Sequence, residues 1–231
     1  VWSSKEGEWI ENEGKKDIKG YVPSQISSII LSKLKDYTSG VKKAVVTVPA
    51  MFHETARAAT LDAAKLAGLD VELINEPTAA VLHYANLPGV SINGRVLIFD
   101  LGGGTFDISI ANVKGKKVDV ITSVGDKHLG GRRFDEEIIN ILDKKYKKAK
   151  GKGLDNPLKD EKLFTIAERI KKILSNKEKA TEVIEGPKGP HKIDVSRKEF
   201  EDSIDTYVEK IKMLMEEALE RADCKPNNIS Q

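Results

Sequence analysis

The stretch VLIFDLGGGTFDISI, residues 96–110, sets three consecutive glycines between two apolar runs, with Asp100 and Asp107 on either side. The residues after the glycines alternate in polarity, so a strand follows the turn. This excludes the dinucleotide fingerprint and the P-loop, both of which need a helix directly after their glycines. What remains is strand, glycine turn, strand. In such a turn, successive backbone N–H groups can converge on an anion, and missing side chains let a phosphate approach closely. A plain sharp hairpin capped by its aspartates is the alternative. Thr105 and Asp107 share one face of the returning strand by the period of two, while Asp100 lies at the strand mouth. Their oxygens suit a hydrated magnesium ion, which keeps several waters and takes few direct carboxylates.

Upstream, Ile26, Ile29, Ile30 and Leu34 recur at helical spacing within residues 18–40. KAVVTVPA, residues 43–50, then reads as a buried strand that Pro49 stops. The alanine-rich HETARAATLDAAKLAGL predicts a helix ended by Gly68, and DVELINEP a second strand. Strand, helix, strand makes a βαβ unit with parallel strands, at whose ends ligands usually bind. Glu76 lies just past the second strand, where Pro77 breaks the ladder and a short helix begins. It reads either as a helix N-terminal charge or, if the two strand mouths face each other across a cleft, as a carboxylate that meets the phosphate and its metal beside Asp107 and positions a water.

LPGVSING, residues 87–94, reads as a hinge. Beyond it the glycine turn and KKVDVITSVGD make a meander, with VKGKK as a hairpin loop. Two helices, over RRFDEEIINILDKKYKKAKGKG and KDEKLFTIAERIKKILSNKEKA, precede a Gly/Pro hairpin at TEVIEGPKGPHKIDVS. A last helix is predicted over residues 197–224, with Phe200, Ile204, Val208, Ile211, Leu214, Met215 and Leu219 as an apolar stripe that packs in its own domain.

Over 231 residues, 38 basic side chains nearly balance 36 acidic ones, so no global field draws nucleic acid or an anionic membrane. The lysine run DKKYKKAKGKG reads as a solvated helix end, where positive charge is favoured, since no aromatic series accompanies it. The single Cys224 excludes an internal disulfide and suits a reducing compartment, so the expectation is a cytoplasmic protein. No stretch approaches the roughly 18–20 apolar residues of a membrane span. His53, His83, His128 and His191 lack ligand spacing, against zinc. A start without methionine and an abrupt end at NNISQ predict a segment of a longer chain.

VVTVPA, INEPTAA, FDLGGGTFD and HLGG, in this order and spacing, resemble the ATPase domain of the DnaK-type seventy-kilodalton heat-shock chaperones. The resemblance covers nearly the whole chain and is weakest before residue 18. It implies an α/β, actin-like (ribonuclease-H-like) fold with two lobes around a nucleotide cleft, incomplete here. Residues 1–89 would belong to lobe I, with 1–19 a remnant of its outer subdomain. Residues 90–231 would form lobe II, with 90–129 and about 207–231 as its inner subdomain and about 130–206 as its outer one.

The resemblance implies ATP or ADP with Mg²⁺ as the bound group. It puts Gly102, Gly103, Gly104 and Thr105 near the β- and γ-phosphates, and Gly130 and Gly131 on the same side. Asp100 and Asp107 match magnesium-water carboxylates, and Glu76 matches the acidic residue near the attacking water. Glu168, Lys171, Lys172 and Ser175 match a helix that holds adenosine. Pro49 and Arg57 match residues that relay nucleotide state to a substrate-binding domain. The implied partners are unfolded client polypeptides, a J-domain co-chaperone and a nucleotide exchange factor. The family's first phosphate loop and catalytic lysine are expected before this segment and its adenine loop after it, so the segment alone is expected to hydrolyse ATP poorly.

Two departures stand out. Arg132 and Arg133 occupy places where the family usually has acidic residues, which reverses the local charge, and Glu72 replaces an arginine that bacterial members use with J-domain partners, which counts against that partnership. A homologue that binds nucleotide without hydrolysing it is the second reading and a sugar kinase of the same broad fold the third. Single-turnover hydrolysis separates the first two, and phosphate transfer to a sugar would reveal the last.

Overall fold

The computed structural model describes residues 2–3, 8–9, 22–38, 40–115 and 117–230. Most of the expected 1–19 remnant, the first residues of the 18–40 helical pattern and Lys116 of the VKGKK loop lie outside them. Near the start, β1 (Trp2–Ser3) and β2 (Glu8–Trp9) pair antiparallel. The chain divides into two compact units, Val1–Ile98 with Ile108–Val124 and Ala218–Gln231, and Phe99–Asp107 with Gly125–Glu217. The architecture is mixed α/β with small sheets, as expected.

In the first unit, β3 (Lys43–Val48), α2 (Glu54–Leu66) and β4 (Asp70–Asn75) form the βαβ unit. The strands pair in parallel from Lys43 opposite Asp70 to Val48 opposite Asn75. Gly68 adopts φ +67° after α2, a left-handed conformation that glycine takes without penalty. Helix α1 (Pro23–Asp36) packs along α2, and Lys35 Nζ donates to the carbonyls of Ala67 and Gly68 at 3.1 and 2.9 Å, closing the far end of α2. The expected helix is present; Ile29, Ile30 and Leu34 are 60%, 58% and 55% exposed and no residue of α1 is buried.

Helix α3 (Glu76–Ala85) follows β4 without a break. Its Val81 packs with Val96, Ala111 and Val113 of the meander, a three-stranded sheet in chain order of β5 (Asn93–Leu101), β6 (Phe106–Lys114) and β7 (Lys117–Asp126). Arg95 ties the end of the chain to β5 by donating to the carbonyls of Ala222 and Asp223 at 3.0 and 2.9 Å.

In the second unit, α4 (Gly131–Lys150) and α5 (Glu161–Leu174) lie against the antiparallel hairpin of β8 (Lys179–Ile184) and β9 (His191–Ser196). Ile138, Ile139, Leu142, Ile170, Ile184 and Val195 meet in its core. Helix α6 (Arg197–Arg221) stops three residues before the predicted Cys224. Asp223 turns to φ +44°, and the amides of Asp223 and Cys224 donate back to Glu220 and Leu219, a left-handed stop that the apolar pattern does not reveal. Of the α6 stripe, Ile211 is buried while Val208 stays exposed. Among the described residues no helix is long and apolar enough to cross a membrane.

One side chain fixes the Gly/Pro hairpin. Tyr146 is fully buried, donates to the Gly189 carbonyl at 2.7 Å and accepts from the Lys188 amide at 3.0 Å. A Cβ at Gly186 would lie 2.5 Å from its ring, so that glycine makes room for it. Tyr146→Phe strands both backbone groups and is expected to lower stability by about 1–3 kcal/mol. Urea denaturation with an unchanged midpoint would show the latch to be idle.

Candidate functional site

Gly102, Gly103 and Gly104 connect β5 to β6, and the turn closes where the Gly102 amide donates to the Thr105 carbonyl at 2.9 Å. The start of α4 docks on this turn. The Gly131 amide donates to the Gly102 carbonyl at 2.9 Å and the Arg132 amide to the Gly103 carbonyl at 2.8 Å. Between them Gly130 is extended, at φ −178°, a conformation open to any residue. Its need is space, since a Cβ there would lie 2.7 Å from Gly103 O and Gly104 N, whereas one at Gly131 would crowd Lys171 Nζ at 3.2 Å and touch the turn backbone at an ordinary 3.7 Å. The structure thus brings together the two glycine sets that lie far apart in sequence.

Asp100 and Asp107 stand at the ends of the two strands that the turn joins. Asp107 is half-buried, and burial first, with the negative charge of Asp100 second, raises its carboxyl above the ordinary value. Two carboxylates in mutual repulsion are a donor set that a cation relieves, which fits magnesium held through water. Among the described residues no group of three or more His, Cys, Asp or Glu is placed to hold a metal directly, which is compatible with so sparse a set. Gly125 escaped the sequence reading. A Cβ there would fall 2.3 Å from the Phe106 carbonyl and 3.1 Å from Asp107, so this glycine inside β7 lets the sheet pass behind the carboxylate. Its signal was a glycine within a strand pattern, SVGD.

The other nucleotide-side candidates sit toward the end of α5. Glu168 and Lys172 pair with each other at 2.7 Å on an exposed face, and the Lys172 ammonium holds Glu168 below its usual range. Ser175 donates to the Lys171 carbonyl at 3.2 Å and caps the helix. Lys171 turns the other way. Its ammonium lies 2.7 Å from Asp135 Oδ1 and donates to the Gly131 carbonyl at 3.0 Å.

Arg132 and Arg133 do not leave a bare positive patch. Arg132 lies over the Phe164 ring at 3.9 Å and within 3.9 and 3.8 Å of Glu136 and Glu161, and Arg133 pairs with Glu136 at 2.7 Å. The expected charge reversal is thereby locally compensated, because Glu136 sits within one helical turn of both arginines. Nearby, Asp126 binds Lys210 and accepts from the His128 amide at 2.7 Å. Burial alone would raise Asp126, but these contacts outweigh it and lower its carboxyl.

In the first unit, Glu76 is half-buried in the first turn of α3, where negative charge suits the helix. Beside it, Arg57 donates to Asn75 Oδ1 at 2.7 Å and to the carbonyls of Phe52 and Ala50 at 3.0 and 3.3 Å. The Phe52 amide in turn donates to Pro49 O at 3.1 Å. Arg57 and Pro49 therefore belong to one cluster that ties the loop after β3 to the residue preceding Glu76. Glu72 is exposed on β4, opposite Val45.

Gly130→Ala is expected to displace the turn and weaken Mg-ADP binding at least about tenfold, or 1.4 kcal/mol, in calorimetry on the full-length protein, whereas Gly131→Ala, whose Cβ comes no nearer than 3.7 Å to the turn backbone and crowds only Lys171 Nζ at 3.2 Å, is expected to do less; equal effects would refute the packing argument. For Asp107 the folded value lies above the unfolded one, so its ionised form weakens the fold at high pH and the penalty fades as pH falls into the carboxylate range. Asp107→Asn should therefore stabilise the nucleotide-free protein at pH 7, by a margin that shrinks on acidification. A constant margin in denaturation across pH would contradict this.

The family model described as Hsp70 protein matches residues 1–231, the whole of the chain. That family implies the actin-like ATPase fold, in accord with the mixed α/β architecture and small sheets seen here. With the glycine turn, its docked helix and the flanking carboxylates in place, the chain belongs to the Hsp70 family, whose members are ATPases that bind ATP and ADP and act as chaperones.

Proposed function

We propose that this chain forms part of a DnaK-type, ATP-hydrolysing chaperone motor, and that its glycine turn holds the nucleotide phosphates. The observation that carries the reading is the docking of α4 on that turn, with Gly130 pressed against it and Asp100 and Asp107 at the strand ends. In this reading Gly102, Gly103, Gly104 and Thr105 lie near the β- and γ-phosphates, with the Gly103 and Gly104 amides and the Thr105 hydroxyl facing them while the Gly102 amide closes the turn. Gly130 and Gly131 support them from behind. The end of α5, with Glu168, Lys171, Lys172 and Ser175, lies on the adenosine side.

Asp100 and Asp107 would hold Mg²⁺ through water, and the ion when bound supplies positive charge against the phosphate oxygens. Glu76 and Asp107 order the attacking water by accepting its hydrogens, and the turn amides stabilise the charge that develops on the transferred group. Little covalent chemistry is asked of the protein, so catalysis rests on positioning and electrostatics. The output is conformational. Residues 1–89 and 90–231 act as two lobes, the second divided into 90–129 with 207–231 and 130–206. Their closure passes through Pro49 and Arg57 to a client-binding domain outside this segment. The Arg57 bonds to the loop after β3 and to Asn75 support such a relay, since a shift at Glu76 is felt there at once.

Unfolded polypeptides are the clients in this reading and a nucleotide exchange factor is the expected co-factor protein. Glu72 sets the J-domain partnership apart, and the compartment we assign is the cytoplasm. The test is single-turnover hydrolysis of Mg-ATP by the protein extended to its natural termini. Glu76→Gln is expected to slow cleavage at least about tenfold, about 1.4 kcal/mol of barrier, with binding retained. Tight binding of ATP that stays intact in both proteins would replace the motor by a non-hydrolysing regulatory homologue.

A further inference from the structure

We propose that Asp135 and Lys171 form a strut that sets the position of the glycine turn, which makes Asp135 a positioning residue for the phosphate site and Lys171 a support for the turn; the inference rests on the nucleotide-binding reading above.

Asp135 stands in the second turn of α4 and is only 9% exposed. Its Oδ1 is buried and accepts no hydrogen bond among the described residues. The charge that answers it is Lys171, 2.7 Å away and off the line a hydrogen bond needs. A lysine near the end of an exposed helix ordinarily extends its ammonium into water. This one turns inward, to a side-chain exposure of 23%, and donates to the Gly131 carbonyl. Gly131 in turn donates to Gly102, and its missing side chain leaves the ammonium room, since a Cβ would lie 3.2 Å from Nζ.

The contacts thus run without a gap from Asp135 through Lys171 and Gly131 to Gly102. Burial opposes the Asp135 charge and Lys171 favours it, while Arg132 and Glu168 act on it at longer range with opposite signs. A buried ion pair adds little stability over apolar residues of equal volume, so stability alone does not account for this one. What it does supply is a fixed position for the ammonium. The ammonium is held between the Asp135 carboxylate and the Gly131 carbonyl, which restricts where the side chain can go.

The test uses the protein extended to its natural termini and compares wild type with Asp135→Asn. Should that variant fail to fold, Asp135→Leu with Lys171→Met removes both charges together and is expected to fold, and for it the exchange readout alone decides. Two readouts are taken: amide hydrogen exchange without nucleotide, and calorimetric affinity for Mg-ADP and for adenosine. A strut predicts faster exchange at Gly131 and Arg132, Mg-ADP weakened at least about tenfold, and adenosine changed by less than about twofold. Asp135→Glu, which keeps the carboxylate, should retain most of the Mg-ADP affinity that Asp135→Asn loses. Equal losses for Mg-ADP and adenosine with unchanged exchange would overturn the proposal, making Lys171 a direct adenosine ligand. Unchanged affinities and exchange would overturn it as well. If wild type binds neither nucleotide, the nucleotide-binding reading fails, and exchange at Gly131 and Arg132 alone decides the strut: faster supports it, unchanged overturns it.

Discussion

Everything in the candidate phosphate site depends on two backbone hydrogen bonds, from the amides of Gly131 and Arg132 to the carbonyls of Gly102 and Gly103. The first amides of a helix have no partner within it and commonly serve as an anion site. Here they are spent on the glycine turn. An anion bound at this place has to be met by the amides of the turn, while the helix acts as the buttress that keeps the turn in shape. Only a residue without a side chain at position 130 permits the contact, because the Cβ of any other would sit within 2.7 Å of backbone atoms.

The same arrangement explains how two arginines are tolerated in the first turn of α4, where the helix dipole disfavours positive charge. Glu136 lies three and four residues further on and reaches both guanidinium groups, and Phe164 of α5 offers Arg132 a ring face. The charge reversal is therefore settled by neighbours and need not be projected toward a bound phosphate. Asp100 and Asp107 are different. Burial, with the negative charge of Asp100 second, leaves the Asp107 carboxyl raised.

Much of the fold was legible because its signals are local. The period-two run of β3, the alanines of α2 and the glycine after it predict a βαβ unit, and the parallel register from Lys43 opposite Asp70 follows. The glycine turn was legible for the same reason, since the residues after it alternate in polarity as a strand does. The stripe on α1 predicts the helix that forms, but periodicity shows only which face is apolar, and Ile29, Ile30 and Leu34 stay exposed. The end of α6 was misplaced because Asp223 adopts a left-handed conformation, a backbone choice that carries no hydrophobic signature.

The candidate site divides in the same way. Residue types and spacings in the sequence by itself determined the strand, glycine turn, strand unit, the paired carboxylates beside it and the family to which the chain belongs. Only the tertiary structure decided that Gly130 packs on Gly103, that Gly125 clears space behind Asp107 and that Lys171 turns toward Asp135. Motifs express chemistry that neighbours along the chain can carry. Close packing between residues about 20 to 40 positions apart depends on how helices and strands meet, a matter of excluded volume and buried charge that short-range patterns do not encode.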